Sequence, residues 1–355
     1  MTPRFVIVCG SGGVGKTSTS AAIGLNAARS GEHVLVVTVD PARRLAQALG
    51  LGSIGHDVSA VAVDGPGSLA VSMLDTKAGW DSLIRRHARD AKSAERVLRN
   101  PLYDNITARF VNSHDYIAME QINELASSPE FDLVVIDTPP SRNALDLLDA
   151  PRRMREFFGG RLLQWLTLPY RSRLLTLASK PFLQIADRLL GAQFLGDIAE
   201  FFTLLQSMES GFVARAQAVE SLLTSDRVSF VVVTTAEPAA CREATFMASE
   251  LGRRRYVLDR VVVNRLVTDT GDETLPSREA VSASAGTGID VDLALAGMRD
   301  AFSHRRTVAA RHATGVTALR AIGSPVVLVP ETVAAEQSSG DGSVLGGIAT
   351  ALRGA

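Results

Sequence analysis

A glycine-rich segment near the amino terminus restricts the fold of this chain more than any other feature. Its sequence, Gly10-Ser11-Gly12-Gly13-Val14-Gly15-Lys16-Thr17, matches the pattern G-x-x-x-x-G-K-[ST]. An apolar, β-like run over residues 5–9 precedes the segment, and a helix-forming stretch begins at Lys16. A glycine-rich turn that matches by chance is the alternative, but the strand, the loop and the helix are all in register. The segment predicts a P-loop that binds a nucleoside triphosphate.

The chemistry of a P-loop assigns roles to these residues. Glycines let the backbone curve so that N–H groups point at phosphate oxygens, and the start of the helix adds partial positive charge. We expect Lys16 to reach the β- and γ-phosphates and to act in catalysis, and the Thr17 hydroxyl to ligate Mg²⁺. The predicted nucleotide-binding residues of the segment are Gly10, Ser11, Gly12, Gly13, Val14, Gly15, Lys16, Thr17 and Ser18.

Apolar runs typical of strands alternate with helical stretches along the whole chain. Further strands are predicted at residues 33–39, 69–74, 131–136, 228–235, 258–264 and 325–329, helices over 78–128 and 151–225, and loops at 268–289 and 335–345. This alternation predicts an α/β fold, a mostly parallel sheet covered by helices. We expect one P-loop NTPase domain over residues 1–355, with a helical subdomain from about 78–128 and 151–225 inserted into it.

Two acidic residues lie where buried strands end. Asp137 closes the apolar run at 131–136 and suits the carboxylate that holds Mg²⁺ opposite Thr17. Asp40 follows the run at 33–39 and is placed to orient or deprotonate the water that attacks the γ-phosphate. The alternative for each is that it caps the next helix.

Composition and charge limit the partners and the compartment. The formal net charge is −1, so no general attraction to nucleic acid is expected. No apolar run approaches the length of a membrane span, and the first strand begins too early to leave room for a signal peptide. The two cysteines, Cys9 and Cys241, suit a reducing compartment. We therefore expect a cytoplasmic protein.

Three segments together resemble the ArsA-type ATPases, a deviant P-loop family that includes arsenical-pump ATPases and tail-anchored-protein targeting factors. They are Gly-Gly-Val-Gly-Lys-Thr at 12–17, Val-Asp-Pro-Ala at 39–42 and Asp-Thr-Pro-Pro-Ser at 137–141, and the chain is most similar to the actinobacterial anion-transporter branch. The resemblance implies ATP with Mg²⁺, a dimer with nucleotides at its interface, and hydrolysis coupled to opening and closing. It also implies that Asn264 reads the adenine and Pro330 borders the ring, whereas a turn residue is the alternative for Asn264. Glu237 resembles an acidic position of these ATPases.

An apolar stripe in the second helical stretch permits two interpretations. Its members recur at helical spacing and are Phe194, Ile198, Phe201, Leu205, Met208 and Phe212. In the targeting factors that the chain resembles, the matching region forms a groove for an apolar client helix. The alternative is the core of a helical subdomain, which is what most amphipathic helices need.

The chain also departs from the family it resembles. The first lysine of the family's P-loop, which reaches across the dimer to the phosphates of the opposite subunit, is replaced by Ser11. Either a nearby arginine (Arg43, Arg44 or Arg142) replaces it, or a related subunit that carries the lysine completes the site. The cysteines cannot form the zinc, arsenic or cluster sites of the relatives, so no metal other than Mg²⁺ is expected.

Two functions from different classes remain compatible with these residues. The first is a Mg²⁺-dependent ATPase that acts on a protein client or a membrane partner as a homodimer or a heterodimer. The second is a nucleotide-binding regulatory subunit that hydrolyses little ATP and pairs with a lysine-bearing paralogue. A positioning ATPase that binds membranes or DNA is a weaker third interpretation, because the sequence offers neither a basic patch nor a membrane-binding carboxyl-terminal helix.

Overall fold

A mostly parallel sheet forms the centre of the protein. The computed structural model describes residues 2–39, 44–51, 53–101, 103, 113–127, 129–139, 148–153, 155–156, 201–269, 275–284, 289–331 and 344–353. Within these residues, eight strands form one sheet in the order β3-β4-β2-β5-β1-β6-β7-β8. The strands are β1 Arg4–Gly10, β2 His33–Thr38, β3 Ser59–Val61, β4 Ser68–Met73, β5 Leu133–Asp137, β6 Val228–Thr234, β7 Val257–Leu266 and β8 Val326–Pro330. All neighbours are parallel except β3 and β4.

Helices cover both faces of this sheet. In chain order the described helices are α1 Lys16–Arg29, α2 Arg44–Ala48, α3 Thr76–His87, α4 Ala91–Leu98, α5 Ser113–Leu125, α6 Glu209–Leu223, α7 Pro238–Arg253, α8 Arg278–Ser284, α9 Val291–Arg320 and α10 Val344–Arg353. The α/β class predicted from the sequence is therefore confirmed. None of the described helices is both long and apolar enough to cross a membrane.

The apolar core lies in two layers because successive side chains of a strand point to opposite faces. In β1, Phe5 and Ile7 belong to one buried cluster, which extends to Phe212 of α6. Val8 belongs to the second cluster, which includes Ala21 of α1 and Ile348 of α10. Strands buried on both faces read as continuous apolar runs, which is why the sequence identified the central strands.

The strand order brings the predicted chemistry to one edge of the sheet. β1 lies between β5 and β6, and β5 also pairs with β2. In this register Asp137 is opposite Val8 on one side and Thr38 on the other. Because parallel strands end at the same edge, the P-loop after β1 and the acid at the end of β5 become neighbours.

Four local details of the structure differ from the sequence-based predictions. The short strand β3 was not predicted, because three residues are too few to show a period. The predicted loop at 268–289 contains the helix α8, which begins where the Ser277 hydroxyl accepts the N–H of Ala280 at 3.2 Å. The strand that contains Asn264 was predicted to end there, but β7 continues to Leu266, which pairs with Pro330 after an irregularity. The predicted loop at 335–345 lies outside the described residues up to 343, and α10 begins at Val344.

The helical region is described only in part. The stretch predicted as helical at 78–128 contains α3, α4 and α5, whereas residues 157–200 of the second stretch lie outside the described residues, and Phe194 and Ile198 with them. Four members of the apolar stripe are described, and all are buried in the core cluster: Phe201, Leu205, Met208 and Phe212. These four side chains therefore pack as core in this structure, as the alternative interpretation expected.

Candidate nucleotide site

The glycine-rich segment joins β1 to α1 as a tight loop. Gly10 has φ +147, and a Cβ on it would lie 2.0 Å from the carbonyl oxygen of Val233 in β6. Gly13 and Gly15 have φ values of +78 and +98, in the left-handed region that favours glycine. Any other residue at positions 10 and 15 would force the loop away from its neighbours. The loop therefore has the curvature that the sequence predicted for a phosphate cradle.

Lys16 lies over this loop and is largely buried. Its Nζ donates a hydrogen bond to the carbonyl oxygen of Ser11 at 2.9 Å, which places the ammonium group across the curve of the loop. Lys16 is also the first residue of α1, so its charge adds to the positive end of the helix. Charge is thus concentrated where a phosphate chain would bind.

A buried carboxylate faces the start of α1. Asp137 is only 1 % exposed, and its Oδ2 accepts hydrogen bonds from the hydroxyl of Thr17 at 2.8 Å and of Thr38 at 3.1 Å. The hydroxyl of Ser20 donates to Oδ1 at 3.5 Å. A carboxylate and a threonine hydroxyl in contact are the protein ligands that Mg²⁺ takes in P-loop sites, so the residues present fit the ion.

Asn264 holds the P-loop from the other side. Its Nδ2 donates to the carbonyl oxygen of Val14 at 2.9 Å, and its Oδ1 accepts the N–H of Arg265 at 2.9 Å. A Cβ on Gly15 would lie 2.2 Å from Nδ2, so the glycine is what lets the amide approach. Asn264 is buried inside β7 rather than at its end, and in this structure its amide braces the loop. Its role in reading adenine stays a prediction.

An open cavity of about 840 Å³ lies beside the P-loop. It is lined by Ser11, Gly12, Gly13, Val14, Thr235, Glu237, Ala239, Ala240, Glu243, Arg265, Val267, His304, Arg305, Val308, Arg311, His312 and Glu331. Its walls thus come from the loop, from the start of α7, from the segment that follows β7 and from α9. A cavity of this size is within the range that binds small-molecule cofactors.

Sequence comparison identifies the family to which this site belongs. Residues 3–290 match the family model described as "Anion-transporting ATPase" (ArsA ATPase). The chain belongs to this family. It is 24 % identical over 268 residues to the "ATPase get3" of Schizosaccharomyces pombe, and the match covers 75 % of this chain and 74 % of that protein. It is 26 % identical over 270 residues to the "ATPase get3" of Aspergillus terreus, with the same coverage.

In this member of the ArsA family, Glu237 forms a polar cluster with α9. The N–H of Val267 donates to Nδ1 of His312 at 3.1 Å, so Nε2 carries the proton and donates to Glu237 Oε1 at 3.2 Å. Arg311 donates to the same oxygen at 2.7 Å. The hydrogen bond from His312, and after it the contact with Arg311, hold the pKa of Glu237 below its ordinary value. Glu237 is therefore an ionised side chain at the cavity wall.

Several residues of the predicted ArsA-type site lie outside the described residues, and Pro330 is not among the residues that line the cavity. Pro330 is exposed at the end of β8, and its neighbour Glu331 lines the cavity. Asp40, Arg43 and Arg142 lie outside the described residues, as does the side chain of Arg44. Their predicted roles stay predictions.

Several polar residues of the site were not identified from the sequence, among them Thr38, Ser20, Arg265, Arg311 and His312. Thr38 carried a weak signal, because it is a polar residue directly before the predicted strand end.

Proposed function

We propose that this chain is a Mg²⁺-dependent ATP hydrolase of the ArsA type, which uses ATP binding and hydrolysis to switch the conformation of a dimer. The observation that carries the proposal is the contact of Thr17 with the buried carboxylate of Asp137 beside the glycine cradle. Membership of a family described as ATPases and similarity to two proteins named ATPase support it. A bound Mg²⁺ would supply charge to the phosphate oxygens as they become more negative during transfer.

Each residue of the site has a part in this proposal. The N–H groups from Gly10 to Ser18 bind the phosphate chain, and Lys16 neutralises its β- and γ-phosphates. Thr17 and Asp137 hold Mg²⁺. Asp40 orients or deprotonates the attacking water, and Asn264 and Pro330 border the adenine ring. We also propose that residues 1–355 form one P-loop domain with an inserted helical subdomain, about 78–128 and 151–225.

The proposed partners are a second ATPase subunit and a protein acted on by the switch. The subunit is a second copy of the chain or a related one, and the protein acted on is an apolar client or a membrane-protein partner. A cytoplasmic location is proposed as well, because Cys9 and Cys241 are free, buried thiols that suit a reducing compartment. No nucleic-acid partner is proposed.

One observation favours a second candidate function. Position 11 carries a serine, and its short, uncharged side chain offers no cation to a neighbouring subunit. Its backbone carbonyl accepts a hydrogen bond from Lys16 of the same chain. A cation supplied from outside the cradle can raise the rate of phosphoryl transfer by about 10³- to 10⁵-fold. On this reading the chain is a nucleotide-binding regulatory subunit that hydrolyses little by itself and pairs with a lysine-bearing paralogue.

Four variants of the purified full chain test the proposal by ATP affinity and phosphate release. Lys16→Ala should weaken ATP binding strongly, whereas the control Lys92→Ala, on the exposed face of α4, should not. Asp40→Asn should preserve binding and lower turnover by about 10²- to 10⁴-fold, since the amide cannot act as a base. Asp137→Asn should remove the increase in ATP affinity that Mg²⁺ causes. Equal turnover in the wild-type protein and in Asp40→Asn would remove Asp40 from the mechanism.

The two candidate functions differ in the turnover of the chain alone. If the chain is a regulatory subunit, we expect the purified chain to hydrolyse ATP slowly. A lysine-bearing paralogue should raise this turnover, and Ser11→Lys should partly restore it. Full turnover by the isolated wild-type chain, unchanged in Ser11→Lys, would exclude the regulatory-subunit function.

A further inference from the structure

Arg265 has an unusual backbone conformation in the middle of a strand. Its φ is +54, and it lies in β7 at the point where pairing with β8 is irregular, between Val263 and Leu266. Left-handed backbone is unfavourable for a residue with a long side chain, and such residues are concentrated at functional sites. Among the described non-glycine residues, Arg255 is the other one with a positive φ, at +61.

Helix termination explains Arg255 but not Arg265. Arg255 follows Arg254, the carboxyl-terminal cap of α7, and its N–H donates to the carbonyl oxygen of Gly252 at 3.0 Å. The position after a helix cap is where proteins commonly place a left-handed residue. Arg265 has no helix end beside it, and its positive φ coincides instead with the irregular pairing of β7 and β8 between Val263 and Leu266.

The side chain of Arg265 is exposed and lines the cavity beside the P-loop. The preceding residue, Asn264, is bonded to the carbonyl oxygen of Val14, which fixes the backbone of Arg265 next to the loop. The guanidinium group forms no ion pair or side-chain hydrogen bond in the part of the chain that the structure describes. Arg311 on the same cavity is by contrast bonded to Glu237. Arg265 is thus a cation beside the P-loop whose charge no described carboxylate neutralises.

We propose that Arg265 binds the phosphate chain of the nucleotide that occupies the P-loop. A planar guanidinium group can donate two parallel hydrogen bonds to phosphate oxygens. Arg265 would thus supply a positive charge from the same subunit to a cavity that Ser11, which replaces the family's lysine, also lines without contributing charge. The inference rests on the proposed nucleotide function.

Arg265→Gly is the most informative variant, because it removes the cation and because glycine adopts a positive φ without strain. Arg265→Gly should melt at the same temperature as the wild-type protein or higher. Its dissociation constants for ATP and for inorganic tripolyphosphate, measured by calorimetry, should both rise by about 10- to 100-fold. Arg255→Gly is the matched control, because it relieves the same kind of backbone at the opposite edge of the sheet. It should leave both dissociation constants unchanged.

Further variants separate charge from shape. Arg265→Lys keeps the charge without the bidentate geometry and should fall between the wild-type protein and Arg265→Gly. Arg265→Asn removes the charge but tolerates a left-handed backbone, and should repeat the loss seen with glycine.

The outcomes distinguish this inference from the proposed function. ATP binding that depends on Lys16 but is unchanged in both Arg265→Gly and Arg265→Asn would overturn the role of Arg265 alone. A loss of affinity for ATP without a loss for tripolyphosphate would overturn it too, because the contact would then be with the nucleoside. A wild-type protein that binds neither ligand would overturn both.

Discussion

Asn264 Nδ2 donates a hydrogen bond to the carbonyl oxygen of Val14 at 2.9 Å, and this contact ties strand β7 to the P-loop 250 residues earlier in the chain. The two groups belong to elements that are not adjacent in the sheet, since β6 lies between β1 and β7. A loop that must surround phosphate oxygens gains from such a brace, because its own residues are mostly glycines. The amide therefore has a structural role before any nucleotide is bound.

We predict that Asn264→Ala lowers the free energy of unfolding by about 1–3 kcal/mol, because a buried carbonyl loses its partner. Affinity for ATP should fall too, since the cradle itself is disturbed, and a larger fall for ATP than for GTP is expected if Asn264 also borders the adenine ring as proposed. Asn26→Ala is the control: it removes a comparable bond, from Nδ2 to the carbonyl oxygen of Ala349 at 2.7 Å, far from the loop. It should cost stability and leave nucleotide affinity unchanged. Denaturant unfolding and calorimetry measure both effects, and unchanged stability of Asn264→Ala would contradict the brace.

The sequence predicted those parts of the site that depend on local pattern. The P-loop is a contiguous motif, and Asp137 was found because it closes an apolar strand. Thr38, Ser20 and the brace of Asn264 depend on which strands are neighbours, and no period in the sequence encodes that order. His312 and Arg311 lie on the long helix α9. The sequence did not indicate which face of this helix lines the cavity.

The same distinction applies to the fold. Central strands that are buried on both faces have continuous apolar runs, so their positions were predicted within about two residues. The edge strand β3 and the seven-residue helix α8 are too short to show a period. β3 pairs with β4, and Arg278 of α8 forms an exposed ion pair with Asp292 of α9.

Phe212 should behave as a core residue rather than as part of an open groove. It is fully buried, and its ring centroid lies 5.5 Å from that of His87 and 6.3 Å from those of Trp80 and Tyr116. We predict that Phe212→Ala lowers the unfolding free energy by about 3–5 kcal/mol. Phe246→Ala, on the exposed side of α7, should change it by no more than about 0.5 kcal/mol. Equal, small effects in thermal melts would instead favour a groove at Phe212.

Removing Arg215 from its ion pair with Glu120 should make the stability of the protein depend on pH. Glu120 is buried, and desolvation raises the pKa of its carboxyl while the hydrogen bond and the charge of Arg215 oppose the rise. Arg215→Met leaves a buried carboxylate without its partner and should cost about 3–5 kcal/mol at pH 7.5. The cost should shrink toward pH 5, because a carboxyl with a raised folded-state pKa takes up a proton and loses its charge as the pH falls.

The double variant Glu120→Gln/Arg215→Met tests the cause of that cost. It contains no buried charge at this site, so it should recover much of the lost stability and show no additional pH dependence. Denaturant unfolding at pH 5 and pH 7.5 measures the free energy of unfolding of the wild-type protein and of both variants. An Arg215→Met penalty that is the same at both pH values would show that the lost packing of the arginine, and not the charge of Glu120, causes the destabilisation.

Cys9 should be inert in the folded protein although it lies directly before the P-loop. Its side chain is buried, and desolvation raises the pKa of its thiol to about 12, while the charge of Lys16 acts in the opposite direction. Iodoacetamide reacts with thiolates, so at pH 8.5 it should modify Cys9 only after unfolding.

The same thiol should make stability depend on pH in the alkaline range. Because the thiol of unfolded Cys9 ionises at a lower pH than that of folded Cys9, the folded state holds more protons above about pH 9. Stability is therefore lost as the pH rises from that point toward 12, at up to about 1.4 kcal/mol per pH unit. Cys9→Ala should lose less stability over this interval than the wild-type protein, as measured by urea unfolding. Equal slopes, or rapid modification of native Cys9 at pH 8.5, would show that the thiol is reached by solvent and that the strand before the P-loop opens.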